Sequence, residues 1–295
     1  MSDAAPLPVI VNRSGGTASK AGDDLADQLR KAFANAGREI DLELVEGRDV
    51  AGAVGRHNAA PRVAVGGGDG TLAGAADILT RSGAELAVLP LGTRNHFARQ
   101  LGVPIDLADA AQLAASGTAT AVDTGQAGER AFINNASLGA YVDLVREREK
   151  SSLPKGVASV VAGWRVLRRL RPQTFDLTID RKRESVRTAM LFIGNNRYEI
   201  PEGKPGERRA LDDGLLSVFA LAPLTRVAII RAALRVVLGR PDMRRDFALE
   251  RTAREVTIEG KGEIGIALDG ERVSMPLPLT LTVRPRALRV VAPHA

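Results

Sequence analysis

Residues 62–71 read RVAVGGGDGT, a short β-branched run followed by four glycines, one carboxylate and one hydroxyl. Gly66, Gly67, Gly68 and Gly70 carry no Cβ, so a ligand can approach their backbone closely. The next stretch, TLAGAADILTRS, has helical spacing, and its first N–H groups would point back at the loop. A strand feeding a glycine loop and a helix N-terminus suits a phosphate group. Asp69 is the odd member, because a bare carboxylate repels phosphate. It must meet the phosphate through a metal, or take a proton from an attacking hydroxyl. This combination points to phosphoryl transfer rather than passive binding.

Two other phosphate loops fit less well. No Lys-Ser or Lys-Thr follows the glycines, as a Walker A loop requires. Gly68, Gly70 and Ala73 satisfy G-x-G-x-x-A, but the dinucleotide form places that loop after the first strand, with an acid about 20 residues on. Here two strand-like segments come first, and the sequence near residue 90 is AVLPLGTRN, without an acid. A second apolar run, in LAVLPLGTRNHFAR at 86–99, ends in Gly92, Thr93 and Asn95 before another helix-like segment. Thr93 or Asn95 could cap that helix or touch a ligand. The first strand, LPVIVN at 7–12, ends in Asn12-Arg13-Ser14-Gly15-Gly16. On a parallel sheet these three loops share the carboxyl edge and would form a nucleotide-sized cleft.

The elements that must position these loops alternate along the first part of the chain. Strand-like pieces are 7–12, 40–45, 62–66 and 86–90; helix-like pieces are 20–36, 49–59, 71–82, 95–101 and 106–116. That alternation predicts a doubly wound parallel sheet. After Asp123 the texture changes. Residues 174–180, 186–193, 214–220, 246–250, 254–259, 263–268 and 279–283 read as strands separated by turns, which predicts an antiparallel sandwich. Two helical stretches interrupt them: 156–171, apolar early and basic late, and 225–239, amphipathic. The fold expected is α/β plus all-β: a doubly wound α/β nucleotide-binding domain over 1–125, an antiparallel β-sandwich over 126–285, and a cleft between them.

With these residues in view, the chain resembles the diacylglycerol kinase catalytic-domain family, which includes sphingosine kinases and bacterial lipid kinases. The resemblance rests on Asn12-x-Ser14-Gly15-Gly16, Gly67-Gly68-Asp69-Gly70-Thr71 and PLGTRN at 90–95. It continues through Val122-Asp123-Gly125, FINNASLG at 132–139, GNNRY at 194–198, LDDGLL at 211–216 and LDGE at 268–271. GGDGT alone is shared with NAD kinases; the late DDGLL and DGE segments favour the lipid-kinase branch. The resemblance implies ATP and Mg²⁺ as cofactors and a diacylglycerol-like lipid as acceptor. Gly67, Gly68, Gly70 and Thr71 would cradle the phosphates, and Asn12, Thr93 and Asn95 would line the nucleotide. Asp69 would hold Mg²⁺ or assist proton removal, and Glu271 would accept the hydroxyl proton. Asp213, with the Leu215 carbonyl and Ala210 as partners, would bind a structural Mg²⁺. The family topology also returns a last strand, 287–292, to the first domain, which residues 286–295 would complete.

The chain departs from the family pattern at Arg13, where Pro is usual, at Arg94 and His96 within GTRNH, at Glu199-Ile200-Pro201 and at Ser217. Two alternatives stay open: an NAD kinase-like enzyme, favoured by GGDGT, and a non-catalytic nucleotide- or lipid-binding protein, favoured by the departures at His96 and Glu199.

Composition narrows the partners. The chain has 295 residues, 44% hydrophobic, enough for a full core, and no Cys, which excludes disulfides and thiol chemistry. His57, His96 and His294 have no zinc-site spacing. The start, MSDAAPLPVIVN, lacks a basic segment and an apolar h-region, so a cytoplasmic location is expected, and no stretch is apolar enough to span a membrane. Residues 1–125 carry 11 Lys+Arg and 15 Asp+Glu, whereas 126–295 carry 30 and 20. The acidic first part argues against nucleic acid. The basic second part suits peripheral contact with an anionic membrane surface. A homodimer is compatible with the sequence but not read from it.

Overall fold

The structure, a computed structural model, describes residues 5–16, 18, 22–139, 142, 172–198, 208, 210–222, 225, 227, 228, 231, 235 and 247–293. The chain divides into two units, Met1–Thr124 with Pro285–Ala295, and Gly125–Arg284.

In the first unit, short aliphatic strands alternate with helices. They are β1 (Leu7–Asn12), α1 (Leu25–Asn35), β2 (Ile40–Val45), α2 (Val50–Arg56), β3 (Arg62–Gly67), α3 (Asp69–Ser82), β4 (Glu85–Pro90), α4 (His96–Gln100) and α5 (Leu107–Ser116). The strands run parallel in the order β2-β1-β3-β4, and the end of the chain's last strand lies beyond β4, with Val290 and Val291 opposite Leu86 and Ala87. α1 packs with α5 on one face of the sheet, and α2 with α3 on the other. Both faces are thus covered, which is why the strands read as continuous apolar runs rather than alternating ones. α1 shows the helical logic: Leu25, Leu29, Ala32 and Phe33 are buried at i, i+4, i+7 and i+8. It stops where Gly37 takes φ +69°, with the Arg38 amide donating to Phe33 O.

The second unit is built from two antiparallel sheets. β5 (Thr118–Ala127) and β16 (Leu279–Ala292) each belong partly to the first unit and partly to the second; the other strands of the second unit are β6 (Arg130–Phe132), β7 (Asn135–Gly139), β8 (Gln173–Ile179), β9 (Lys182–Thr188), β10 (Met190–Asn195), β11 (Leu216–Leu221), β12 (Phe247–Ala253), β13 (Glu255–Ile258), β14 (Glu263–Leu268) and β15 (Glu271–Pro276). One sheet runs β12-β11-β10-β7-β14-β15; in the other, β16 pairs with β13, which continues to β8 and β9. Phe175, Leu177, Val256 and Leu281 from one sheet share a buried core with Leu138, Leu191, Val218 and Ile266 from the other. The expected fold class therefore holds: a parallel α/β unit and an antiparallel β-sandwich.

Three details differ from expectation. Residues 186–193 are not one strand. The chain turns at Ala189, where Thr188 Oγ1 donates to the Met190 and Leu221 carbonyls, so β9 and β10 join different sheets. Segments 279–283 and 287–292 belong to a single strand, β16, which enters the second unit with its first half and the first unit with its end. β5, β6, β7 and β15 are strands the sequence pattern does not announce. The stretch 156–171, the Glu199-Ile200-Pro201 departure and most of 225–239 lie outside the described residues.

Candidate active site

In the first unit, β1 and β3 are neighbours whose connections leave in opposite directions, β1 toward β2 and β3 toward β4. Their carboxyl ends mark the sheet's switch point, where open α/β sheets bind ligands. Asn12 ends one strand and Gly67 the other. Asn12 Nδ2 donates to Thr71 Oγ1 at 3.0 Å across this point, and its Oδ1 accepts from Ser14 N at 3.0 Å and Ser14 Oγ at 2.7 Å. The loop after β4 closes onto the loop after β3. A Cβ on Gly92 would fall 2.3 Å from Gly68 Cα, and one on Gly67 would fall 2.6 Å from Thr71 Cβ. Gly70 is different: it is exposed, and nothing lies within 4 Å of where its Cβ would stand. α3 starts at Asp69 behind Gly68, whose lack of a side chain leaves the helix without a side-chain cap. Its leading amides have no intrahelical acceptor.

Asp69 and Asn95 hold the loop cluster together. Asp69 Oδ1 accepts from Phe97 N at 2.9 Å and Oδ2 from His96 N at 3.2 Å, so it caps α4 from a distance. Asn95 stands at the α4 cap position but makes no side-chain cap bond. It is 4% exposed with φ +52°. Its Oδ1 accepts from Gly92 N at 2.9 Å, and its Nδ2 donates to the Pro90 and Gly92 carbonyls, each at 3.0 Å. Thr93, Arg94 and His96 are exposed. Arg13 N donates to Val45 O at 3.0 Å, a bond that the family's usual Pro could not make.

In the second unit, Glu271 opens β15 and pairs with Arg130 Nη2 of β6 at 3.2 Å. Two residues earlier, Asp269 holds the link between β6 and β7. Its carboxylate accepts from the amides of Ile133 (2.8 Å), Asn134 (2.7 Å) and Asn135 (2.9 Å), and its own N–H donates to Asn135 O at 2.8 Å. Arg208 Nη1 donates to Ile133 O at 2.6 Å, and Tyr198 Oη donates to Asn134 O at 3.0 Å. Enclosure of the Asp269 carboxyl raises its pKa to about 6, against the three amides and Arg208, which favour the charged form. Burial likewise pushes the Tyr198 phenol up.

Asp213 and Leu215 meet the same residue, Asn196: Asp213 N donates to Asn196 Oδ1 at 3.1 Å, and Asn196 N donates to Leu215 O at 2.9 Å. Asp213 Oδ2 also accepts from Arg197 N at 3.3 Å. Ser217, where the family has an acid, is 1% exposed. It donates to Asn196 O and accepts from Tyr198 N, so its hydroxyl is committed to the turn. Asp213 and Glu271 do not form one site. The strands that follow or carry them, β11 and β15, are four steps apart in the sheet, about 19 Å at the usual strand spacing. Among the described residues, no group of three or more His, Cys, Asp or Glu gathers to hold a metal.

The structure thus brings Asn12, Gly67, Gly68, Asp69, Thr71 and Asn95 into one loop cluster of the first unit. The truss around residues 133–135 was not anticipated. Its signal in the sequence is LDGE, which contains Asp269 as well as the exposed Glu271.

A doubly wound unit with a glycine-lined switch point, followed by an antiparallel sandwich, defines the class. The diacylglycerol kinase catalytic domain model matches residues 6–127, and the YegS C-terminal NAD kinase beta sandwich-like domain model matches residues 136–292. The chain belongs to this diacylglycerol kinase catalytic-domain family, in its YegS-like branch. It is 32% identical over 280 residues to proteins named "Probable lipid kinase YegS-like" from Pseudomonas savastanoi pv. phaseolicola and Pseudomonas syringae pv. tomato, covering 92% of this chain and 88% of each of those. A crystal structure of a diacylglycerol kinase from Bacillus anthracis str. Sterne shares the fold, with a TM-score of 0.69, 20% identity, and coverage of 99% of this chain and 98% of that one. Among the described residues, no helix is long and apolar enough to cross a membrane.

Proposed function

We propose that the chain transfers the γ-phosphate of ATP to a hydroxyl of a diacylglycerol-like or related lipid. The observation that carries this reading is the loop cluster at the β1/β3 switch point, in which Gly67 and Gly92 are required by close approach and Gly70 by none. A glycine kept where a side chain would fit leaves room for a ligand. Family membership and the lipid-kinase names of the Pseudomonas relatives support a lipid as acceptor.

In this reading, residues 1–125 with 286–295 bind the nucleotide and residues 126–285 the lipid. Gly67, Gly68, Gly70 and Thr71 offer backbone amides to the phosphates, a role that suits the uncapped start of α3. Asn12 orients Thr71, Thr93 lines the nucleotide, and Asn95 shapes the loop from within. Mg²⁺ neutralises charge on the phosphates and is commonly held by one or two carboxylates plus the phosphates themselves. Asp69 fits that need, since each of its oxygens accepts one amide and keeps further acceptor capacity. Asp213 and the Leu215 carbonyl are oxygen donors suited to a second, structural Mg²⁺. Glu271, paired with Arg130 at 3.2 Å, takes the hydroxyl proton. The enzyme works in the cytoplasm, at the surface of an anionic membrane.

The test is incubation with γ-labelled ATP, Mg²⁺ and a total lipid extract. A labelled lipid is expected, reduced about 10²- to 10⁴-fold by Glu271→Gln and also reduced by Asp69→Asn. No labelled lipid, or unchanged turnover in both variants, overturns the reading. NAD offered as acceptor in the same assay separates the NAD kinase-like alternative.

A further inference from the structure

The tripeptide Ile133–Asn135 is held on every side. Its three amides converge on one carboxylate, that of Asp269. The Ile133 carbonyl takes Arg208 Nη1 at 2.6 Å and Asn195 Nδ2 at 3.1 Å; the Asn134 carbonyl takes Asn195 N at 2.8 Å and the Tyr198 hydroxyl at 3.0 Å. Arg208 Nη2 reaches Asn134 Oδ1 at 3.1 Å, and the guanidinium lies 5.8 Å from the Tyr198 ring centre. Asp269 sits at φ +48° and Gly270 at φ +89°, the Asp-Gly turn that joins β14 to β15. The turn thus sets a half-buried carboxylate against three backbone amides. A carboxyl whose titration is shifted by its surroundings is a marker of working sites.

What the truss positions is visible along the chain. Glu271 follows Asp269 by two residues, and its ion-pair partner Arg130 precedes Ile133 by three. Both therefore project from the two segments that Asp269 ties together. An exposed ion pair holds little by itself, so the geometry of Glu271 depends on the backbone beneath it.

We infer that Asp269 is the positioning residue for Glu271: its ionised carboxylate, by gathering the amides of 133–135, sets the place from which Glu271 receives the hydroxyl proton. This rests on the reading of Glu271 as the proton acceptor. An ionised carboxylate accepts all three amides, whereas the protonated acid turns one oxygen into a donor and must release part of that grip. Among the described residues, the groups facing Asp269 are Arg208 and Tyr198, with the Arg130–Glu271 pair beside them. Arg208 stabilises the ionised form.

The experiment compares wild type, Asp269→Asn and Tyr198→Phe by kinase kinetics across pH 5–8 and by hydrogen exchange of the peptide spanning 130–139. Asp269→Asn is expected to lower kcat about 10- to 100-fold, as small misplacements of a reacting group do, with KM for ATP unchanged. The acid limb of the wild-type kcat profile, centred near the Asp269 transition at about 6, should move in this variant. Tyr198→Phe removes one strut without touching the carboxylate, so kcat should fall less and the limb should stay. Exchange in 130–139 should quicken in both. An active wild type with unchanged kcat, pH limb and exchange in Asp269→Asn overturns the inference. A wild type that phosphorylates no lipid overturns the proposed function instead, and exchange then decides whether the truss exists: unchanged protection in both variants refutes it.

Discussion

At the scale of single residues, Asp269 makes a stability prediction opposite to that of an ordinary ion pair. Its folded-state pKa of about 6 lies above the unfolded value of 3.8, so the folded protein holds the extra proton between them. Stability from this group is full below about pH 4 and falls as pH rises to about 6. Glu43 acts in the other direction. A hydrogen bond from His57, then contacts with Arg56, lower its pKa below 4.5, so its stabilisation is lost as pH falls. The two are separated by following Tm from pH 4 to 7 in wild type and Asp269→Asn. The wild type should lose ground to the variant as pH rises, and parallel curves would contradict this. Glu271→Gln, exposed and paired with Arg130, should leave Tm within about 1 °C of wild type, because surface pairs contribute about 0–1 kcal/mol. Any loss of phosphate transfer in that variant is then chemical rather than structural.

At the scale of elements, the glycine loops divide by what surrounds them. Gly92→Ala would force a Cβ to 2.3 Å from Gly68 Cα, backbone against backbone, and should destabilise the first unit by more than about 2 kcal/mol. Gly70→Ala meets open space in the first turn of α3, so Tm should hold or rise by the equivalent of about 0.5–1 kcal/mol. ATP affinity should nonetheless fall about tenfold or more if its amide lies against a phosphate, and calorimetric titration of ATP reads this directly. Unchanged affinity in Gly70→Ala would remove the loop from the binding site. At the other end of the strands, Arg62 donates to Ala114 O (2.9 Å) and Gly117 O (2.8 Å) at the end of α5 while paired with Glu85. Arg62→Ala should lower stability by about 1–3 kcal/mol, as removal of a partner from half-buried polar groups does, without altering kcat, because these contacts lie at the amino-terminal ends of β3 and β4. The loops and their helices were legible because apolar runs, glycines and helical spacing coincide there. β15 was not, because only Met275 of its six residues is buried and the alternation in ERVSMP is confined to Val273 and Met275. β9 and β10 merged in the reading because the corner at Ala189 is made by a Thr side-chain bond rather than by Gly or Pro.

At the scale of the whole molecule, two fold classes in series were legible from the change of texture after Asp123, since helix and strand periods differ all along the chain. The truss was not legible, because Asp269, Arg208 and Ile133 are joined by backbone contacts across 136 and 75 positions of sequence, which no local pattern records. The uneven charge, 30 basic and 20 acidic residues in 126–295, gives an expectation for the lipid surface. Sedimentation with anionic vesicles should be strong at low salt and fall steeply as ionic strength shortens the screening length to about 8 Å at 0.15 M. Salt-independent binding would point to apolar insertion instead. The measurement that bears most directly on the central claim is mass spectrometry of the lipid products after reaction with γ-labelled ATP. The account predicts a labelled phosphate ester on a lipid hydroxyl, made by wild type and lost in Glu271→Gln. Label found only as inorganic phosphate, or on NAD, would contradict it.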